Sequence, residues 1–302
     1  MMILCAIDGS RYARWALELL RRLRFGPDSG LLLVHVVDVD KFTKRKGLDP
    51  TVQAAMKQAL ELADLGGGDM LQHARAIMAP AWRAVQTKVV RGHPAEAITG
   101  TASRQHAGLI VVGSRGLTEF RPFLLGSVSR RVVVHAPCPV LIVKKRHSAF
   151  RRIVVAVDGS KEAHRAVDFL LQWPLPQTIS LSVLSVVPPL PIETGSVSEK
   201  MPSLLEQVRG PLEREAHRVA LKAVDHIRRR HPNATVTVAH GHPGQEIVKL
   251  AKSVKADLVV VGSRGLTNTD RYLMGSVSDT VVKYAPCSVL VVRHPRIQPD
   301  GA

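Results

Sequence analysis

Aromatic side chains are scarce in this sequence: Phe, Tyr and Trp together make up 4% of its 302 residues. Apolar residues still reach 45%, so any core must be built from Val, Leu, Ile and Ala. Cysteine is scarcer, at three. Cys5, Cys138 and Cys287 share no metal-ligand spacing and cannot all pair, which argues against a disulfide framework or a zinc site. They are read as inert buried thiols in a reducing cytoplasm. No apolar run approaches the roughly 20 residues of a membrane span; Leu31–Val37 is among the longest. The opening MMILCAIDGS has neither a basic n-region nor a small-residue cleavage site, so no signal peptide is expected. Acidic residues are outnumbered, 25 against 42 basic, for a net charge of +17. The basic clusters Lys44–Lys46, Lys144–Arg146 and Arg228–Arg230 are short, with little aromatic interleaving. A solvated basic surface is therefore preferred to a nucleic-acid interface, although such charge draws in anions generally.

What is present is repetition. The segment Ile3–Leu20 aligns with Ile153–Leu170, Leu33–Asp38 with Val183–Pro188, Val89–Ile98 with Val238–Ile247, and Val133–Lys144 with Val282–Arg293. The offset is 150 residues early in each copy (Ile3 to Ile153) and 149 later (Gly92 to Gly241). One folding unit is written twice, and the copies are expected to span residues 1–147 and 148–302, with the boundary in the charged stretch KKRHSAFRR.

Within the first copy, apolar runs of strand length alternate with helical patterns. Ile3–Ile7 reads as a buried strand, followed by the turn Asp8-Gly9-Ser10 and a helix from Arg11 to about Phe25, capped by Ser10, with Ala13, Ala16, Leu17 and Leu20 on one face. Leu31–Val37 is a second strand. A helix from about Thr51 is expected to be interrupted at Gly66–Gly68. Ala84–Val90 is a third strand, Pro94 opens a helix to Gln105, Leu109–Val112 is a fourth strand, Ser127 opens a short helix, and Pro139–Val143 is the last strand. Such alternation predicts, for each copy, a doubly wound five-stranded parallel sheet with helices on both faces, a Rossmann-like α/β fold. Ligands of such sheets sit beyond the carboxyl ends of the strands, where the winding reverses. If the first and fourth strands are neighbours, the loops at Asp8 and Gly113 meet in one crevice.

The second of those loops carries the most specific signal. GSRGLTEFRPFLLGS and GSRGLTNTDRYLMGS each read G-x-x-G, nine residues, then Gly-Ser, after a strand and before a helix. Neither is the dinucleotide fingerprint G-x-G-x-x-G or a Walker A loop. Gly113 and Gly116 leave the loop wall bare, so backbone N–H groups can approach a phosphate. Gly126-Ser127 starts a helix whose first N–H groups make a second anion seat. The hydroxyls of Ser127 and Ser129 can add hydrogen bonds. Arg115, like Arg264 in the second copy, can supply charge or face solvent.

In this frame, in the IDGS and VDGS turns and in the endings HAPCPVLIV and YAPCSVLVV, the sequence resembles the universal stress protein family in its tandem two-domain form. The resemblance covers nearly the whole chain apart from the variable middle of each copy and the C-terminal tail. It implies an adenine-nucleotide α-hydrolase-like fold and ATP binding. It further implies that Asp8 and Asp158 lie beside the adenosine, and that the backbone at Val36 and Val186 reads the adenine edge. Gly113, Gly116, Gly126 and Ser127, with Gly262, Gly265, Gly275 and Ser276, would hold ribose and phosphates. Val128 and Ser129, and Val277 and Ser278, follow at the same helix starts. Mg2+ or Mn2+ would arrive on the phosphates. Asp8 and Asp158 also suit an Asx-type turn before the helix.

Two further positions differ in kind. Ser276-x-x-Asp279 matches a weak capping box, where the first copy has Arg130. An Asp there should repel a terminal phosphate and an Arg attract one. His93 and His242, in the repeated GHP, suit either a pH-sensitive helix cap or a plain polar helix entry. Three functional classes remain: a nucleotide-binding regulatory protein, which is favoured; a slow ATPase, for which the motif offers no evident base; and a basic polyanion binder, for which no recognition signature exists. The last strand of each copy is apolar and is expected at a sheet edge, where the two copies could pair with each other. The family resemblance extends such pairing to homodimers.

Overall fold

The β-branched and leucine-rich runs become strands because they are buried on both faces of a parallel sheet. In the computed structural model this holds for Ile3–Cys5, Leu31–Val34, Leu109–Val112 and Val140–Val143, all of them below 4% exposed. The structure describes all residues except 24, 27, 40–48, 117–124, 148–149, 191–201, 267–273 and 294–302. The chain divides into two units, one ending at residue 149 and the other spanning Phe150–Arg293.

Unit 1 runs β1 (Met2–Ala6), α1 (Arg11–Arg22), β2 (Gly30–Val37), α2 (Pro50–Met78), β3 (Ala84–Arg91), α3 (Pro94–Arg104), β4 (Leu109–Gly113), α4 (Ser127–His135) and β5 (Val140–Val143). Its strands are all parallel, in the order β3-β2-β1-β4-β5. The winding reverses between β1 and β4, which pair at Cys5 and Val111. The two loops of interest therefore leave neighbouring strands at the same edge, as the sequence suggested.

Ser10 caps α1: its Oγ accepts from the Ala13 N–H at 3.2 Å, and Ala13, Ala16, Leu17 and Leu20 are buried as expected. The few aromatics are placed economically. Trp82 lies 5.9 Å from Phe25 and donates its indole N–H to the Leu20 carbonyl at 3.2 Å.

The expected interruption of the second helix does not occur. α2 passes unbroken through Gly66–Gly68. Gly67 is the first buried residue of the helix, followed by Leu71, Ala74 and Met78 on the same face. A β-carbon on Gly67 would stand 2.5 Å from Cδ2 of His35 on β2. The low helix propensity of glycine, about 1 kcal/mol per residue, is overridden by this packing.

Unit 2 repeats the plan with β6 (Arg152–Ala156), α5 (Lys161–Leu171), β7 (Ser180–Val187), α6 (Pro202–Arg228), β8 (Thr235–His240), α7 (Pro243–Ser253), β9 (Leu258–Gly262), α8 (Ser276–Tyr284) and β10 (Ser288–Val292). Its parallel order is β10-β9-β6-β7-β8, with β6 and β9 paired at Val155 and Val260. β5 and β10 each stand at the end of their unit's five strands. No helix among the described residues is long and apolar enough to cross a membrane.

Candidate functional site

At the carboxyl end of β1 the chain must reverse into α1 within a few residues. Gly9 takes φ +79°, a region that favours glycine. Asp8 folds its Oδ1 back to accept from the Ser10 N–H at 3.0 Å, so it forms the Asx-type turn. Ser10 also donates its hydroxyl to the Arg115 carbonyl at 3.3 Å. One side chain thus caps α1 and ties the β1 loop to the β4 loop.

The glycines of the β4 loop have a steric cause. A β-carbon on Gly113 would meet Cβ of Tyr12 at 2.7 Å and the Ala13 nitrogen at 3.0 Å, so the first turn of α1 packs directly on it. A β-carbon on Gly116 would stand 2.9 Å from Oδ2 of Asp8. Bare walls for a phosphate were the sequence argument; close packing of α1 and Asp8 already demands both glycines.

Beyond the loop, the Gly126 N–H donates to the Ser114 carbonyl at 2.8 Å. Gly126 is the N-cap residue of α4, with no side-chain cap bond. Ser127 is exposed and Val128 half-buried. Ser129 is buried, and its Oγ donates to the Gly113 carbonyl at 2.6 Å. The start of α4 is thereby tied back to the end of β4. The spacer between them, residues 117–124, lies outside the described residues.

These parts enclose a cleft of about 500 Å3 at the carboxyl edge of the sheet, within the size range of small-ligand sites. Asp8 and Val36 line one side of it. Gly113, Arg115 and Gly116 line the next, and Gly126, Ser127, Val128 and Ser129 the third. All nine residues named for the first copy are thus brought together. His35 and Asp38 line the cleft as well and escaped the sequence reading. A signal existed for His35, the one polar side chain within the apolar run Leu31–Val37. Its Nδ1 is 2.9 Å from the Ile7 carbonyl, which fixes the ring beside the β1 turn.

Unit 2 follows the same plan, with a different acceptor for the serine of its last helix. Asp158 accepts from the Ser160 N–H at 2.9 Å, Gly159 has φ +82°, and Ser160 caps α5. A β-carbon on Gly265 would approach Oδ2 of Asp158 to 2.5 Å, and one on Gly262 would meet Cβ of Glu162 at 2.9 Å. Gly275 is the N-cap of α8, so Ser276 is the first helical residue and Val277 and Ser278 follow it. Ser278 donates to the carbonyls of Ser263 and Gly275, at 3.0 and 2.9 Å. Arg264 is half-buried within this loop, and Val186 lies on β7 two residues beyond the last β6 partner, Leu184.

One expectation changes, and one alternative is decided for the plain polar helix entry. Ser276-x-x-Asp279 is not a capping box, because Gly275 holds the cap position one residue earlier. Asp279 instead pairs with Lys283, one turn along α8. Neither His93 nor His242 caps its helix through the side chain; Nε2 of His93 lies 2.8 Å from the Arg131 guanidinium. The three cysteines are buried without a disulfide, and burial pushes the Cys5 thiol up to about 12, which suits an inert role. Among the described residues no group of three or more His, Cys, Asp or Glu could hold a metal ion.

The model of the universal stress protein family matches residues 1–144 and again 149–293. The chain belongs to the universal stress protein family. It does so in tandem form, with one family domain per unit. A universal stress protein of Bacillus subtilis is 29% identical over 147 residues, covering 48% of this chain and 99% of the relative. One from Mycobacterium tuberculosis is 32% identical over 197 residues, 62% of each chain. The crystal structure of a universal stress protein from Archaeoglobus fulgidus superposes over 98% of this chain and 97% of its own, at 22% identity and a TM-score of 0.61, and shares the fold.

Proposed function

We propose that this universal stress protein binds ATP in the cleft of unit 1, and that unit 2 offers a second adenine-nucleotide site. The observation that carries the reading is the convergence of three elements on one cleft of about 500 Å3: the Asp8 turn, the glycine loop at Gly113–Gly116 and the start of α4 at Gly126–Ser129. The α4 start lies at the positive end of a helix dipole, where the first N–H groups of a helix have no intrahelical carbonyl partner, and this suits phosphate. Gly116 lets the loop lie against the Asp8 carboxylate, whose Oδ2 lies on that side while Oδ1 holds the turn. This division supports Asp8 as a ribose acceptor. The half-buried Val36 would offer its backbone to the adenine edge. In unit 2, Asp158, Val186, Gly262, Arg264, Gly265, Gly275, Ser276, Val277 and Ser278 take the matching roles. Mg2+ or Mn2+ would travel on the phosphates.

The role is regulatory, with at most slow hydrolysis. A phosphoryl-transfer site needs a base that positions water at the terminal phosphate, and the carboxylate nearest the loop is engaged in the β1 turn.

Equilibrium dialysis of the full chain with labelled ATP and Mg2+, alongside mass spectrometry of nucleotide carried through purification, tests the reading. Up to two equivalents of adenine nucleotide are expected, reduced in a Gly126→Val variant that keeps its circular dichroism. No binding at millimolar ATP would overturn the assignment.

A further inference from the structure

Tyr12, buried on the first turn of α1 at 7% exposed, gathers two arginines from different parts of unit 1. Its phenolic oxygen accepts from Nη2 of Arg11 at 2.9 Å and from Nη1 of Arg115 at 3.1 Å. Both guanidinium groups also lie against the ring, with Cζ 4.9 and 5.6 Å from its centroid. Trp15 buttresses the cluster, edge-on to Tyr12 at 5.0 Å and 5.7 Å from the Arg11 Cζ. A phenolic oxygen has the lone pairs to accept from both, and the aromatic face favours each cation. A neutral acceptor cancels neither charge, so the cluster concentrates positive potential at one lip of the cleft.

Arg115 lines the cleft, while the exposed Arg11 stands outside the lining and shares the Tyr12 hydroxyl with Arg115. A ligand that meets Arg115 with one phosphate reaches Arg11 only by extending beyond the cleft lining, to the second guanidinium on the same hydroxyl. Unit 2 lacks the arrangement. Glu162 stands where unit 1 has Tyr12, and it pairs at 3.4 Å with Arg165, which stands where unit 1 has Trp15.

We infer that Arg11 is a further anion-binding residue of the unit 1 site, held in place by Tyr12, and that it makes this site select nucleotides with an extended phosphate chain over monophosphates. This rests on the adenine-nucleotide reading of the cleft and deepens it. Guanidinium groups suit terminal phosphate oxygens because their N–H forks match them bidentately.

Calorimetric titration of the full chain with ATP–Mg2+ and with AMP, for the wild type, Arg11→Gln, Arg11→Lys and Tyr12→Phe, tests the inference. Arg11→Gln should weaken ATP at one of the two sites by about tenfold, as expected for one charge-assisted contact, and leave AMP within about twofold. Arg11→Lys should recover part of the loss. Tyr12→Phe keeps the ring and its packing but frees both guanidinium groups, and should lower the ATP-to-AMP affinity ratio in the same direction. Circular dichroism melts of each variant report whether the fold is retained. Equal loss of ATP and AMP, or no change in a wild type that does bind ATP, would overturn the role of Arg11 and Tyr12 while leaving the nucleotide reading standing. A wild type that binds neither nucleotide would overturn both.

Discussion

The Ser129 hydroxyl, in the first turn of α4, donates to the carbonyl of Gly113, the last residue of β4, at 2.6 Å. This bond fixes the helix start relative to the strand end, so the glycine loop and the α4 start keep one spacing across the unit 1 cleft. Ser129→Ala should lower the stability of unit 1 by about 1 kcal/mol, the usual net worth of such a bond, and weaken ATP several-fold. Thermal melts and ATP titration read the two effects separately. A loss of stability with unchanged ATP affinity would mean that the tie does not position the site.

Gly116 tests the site from the other side. Alanine there places its β-carbon 2.9 Å from the Asp8 Oδ2, so either the carboxylate or the loop must move. Gly116→Ala should lower ATP affinity while costing about 1–3 kcal/mol of stability, as overpacking does. Unchanged affinity in a folded variant would remove Asp8 from the binding surface.

The three glycines of α2 should respond with opposite signs. Gly66 and Gly68 face open space, so alanine at either should stabilise unit 1 by roughly 0.5–1 kcal/mol through helix propensity. Gly67→Ala should destabilise it, because the new methyl collides with His35. Chemical denaturation of the three single variants measures the contrast, and a uniform response would show that His35 yields freely.

His231, just beyond α6, is 4% exposed, and its Nδ1 is buried without a hydrogen-bond partner. Burial, assisted by the neighbouring Arg230 charge, holds its pKa below the ordinary histidine value. The unfolded chain therefore binds this proton more readily than the folded one. Stability contributed by the neutral ring should fall as pH drops through about 6.5, the unfolded value, and level off below the folded pKa. Denaturation of wild type and His231→Gln between pH 5 and 8 checks this; the variant should show the shallower decline.

Arg130 and Asp279 occupy equivalent positions one turn into α4 and α8. Asp279 is partly neutralised by Lys283, yet it still places a carboxylate where unit 1 has a cation. The unit 1 site is expected to bind ATP more tightly than the unit 2 site, and Asp279→Arg to narrow the gap by strengthening the weaker component of a two-site isotherm. Equal wild-type affinities would count against it.

The sequence alone determined the duplication, the strand and helix order of each unit and the family, because these rest on local signals: buried strands read as apolar runs, Ser10 reads as a cap, and the glycine frame recurs intact. Its local rules also misled. Gly66–Gly68 looked like a helix break because propensity is a property of the isolated chain, whereas Gly67 earns its place against His35, which lies 32 residues away in sequence. The capping box at Ser276 failed by one residue, since Gly275 takes the cap position. Only the tertiary structure showed that Gly113 is glycine because α1 lies on it, that His35 borders the cleft, and that Tyr12 draws Arg11 and Arg115 together. Those relationships join residues 32, 101 and 103 positions apart (67 − 35, 113 − 12, 115 − 12). No periodicity records contacts at such separation: those of Tyr12 are set by the pairing of β1 with β4, which brings the α1 turn against the β4 loop, and that of Gly67 by the packing of α2 on β2.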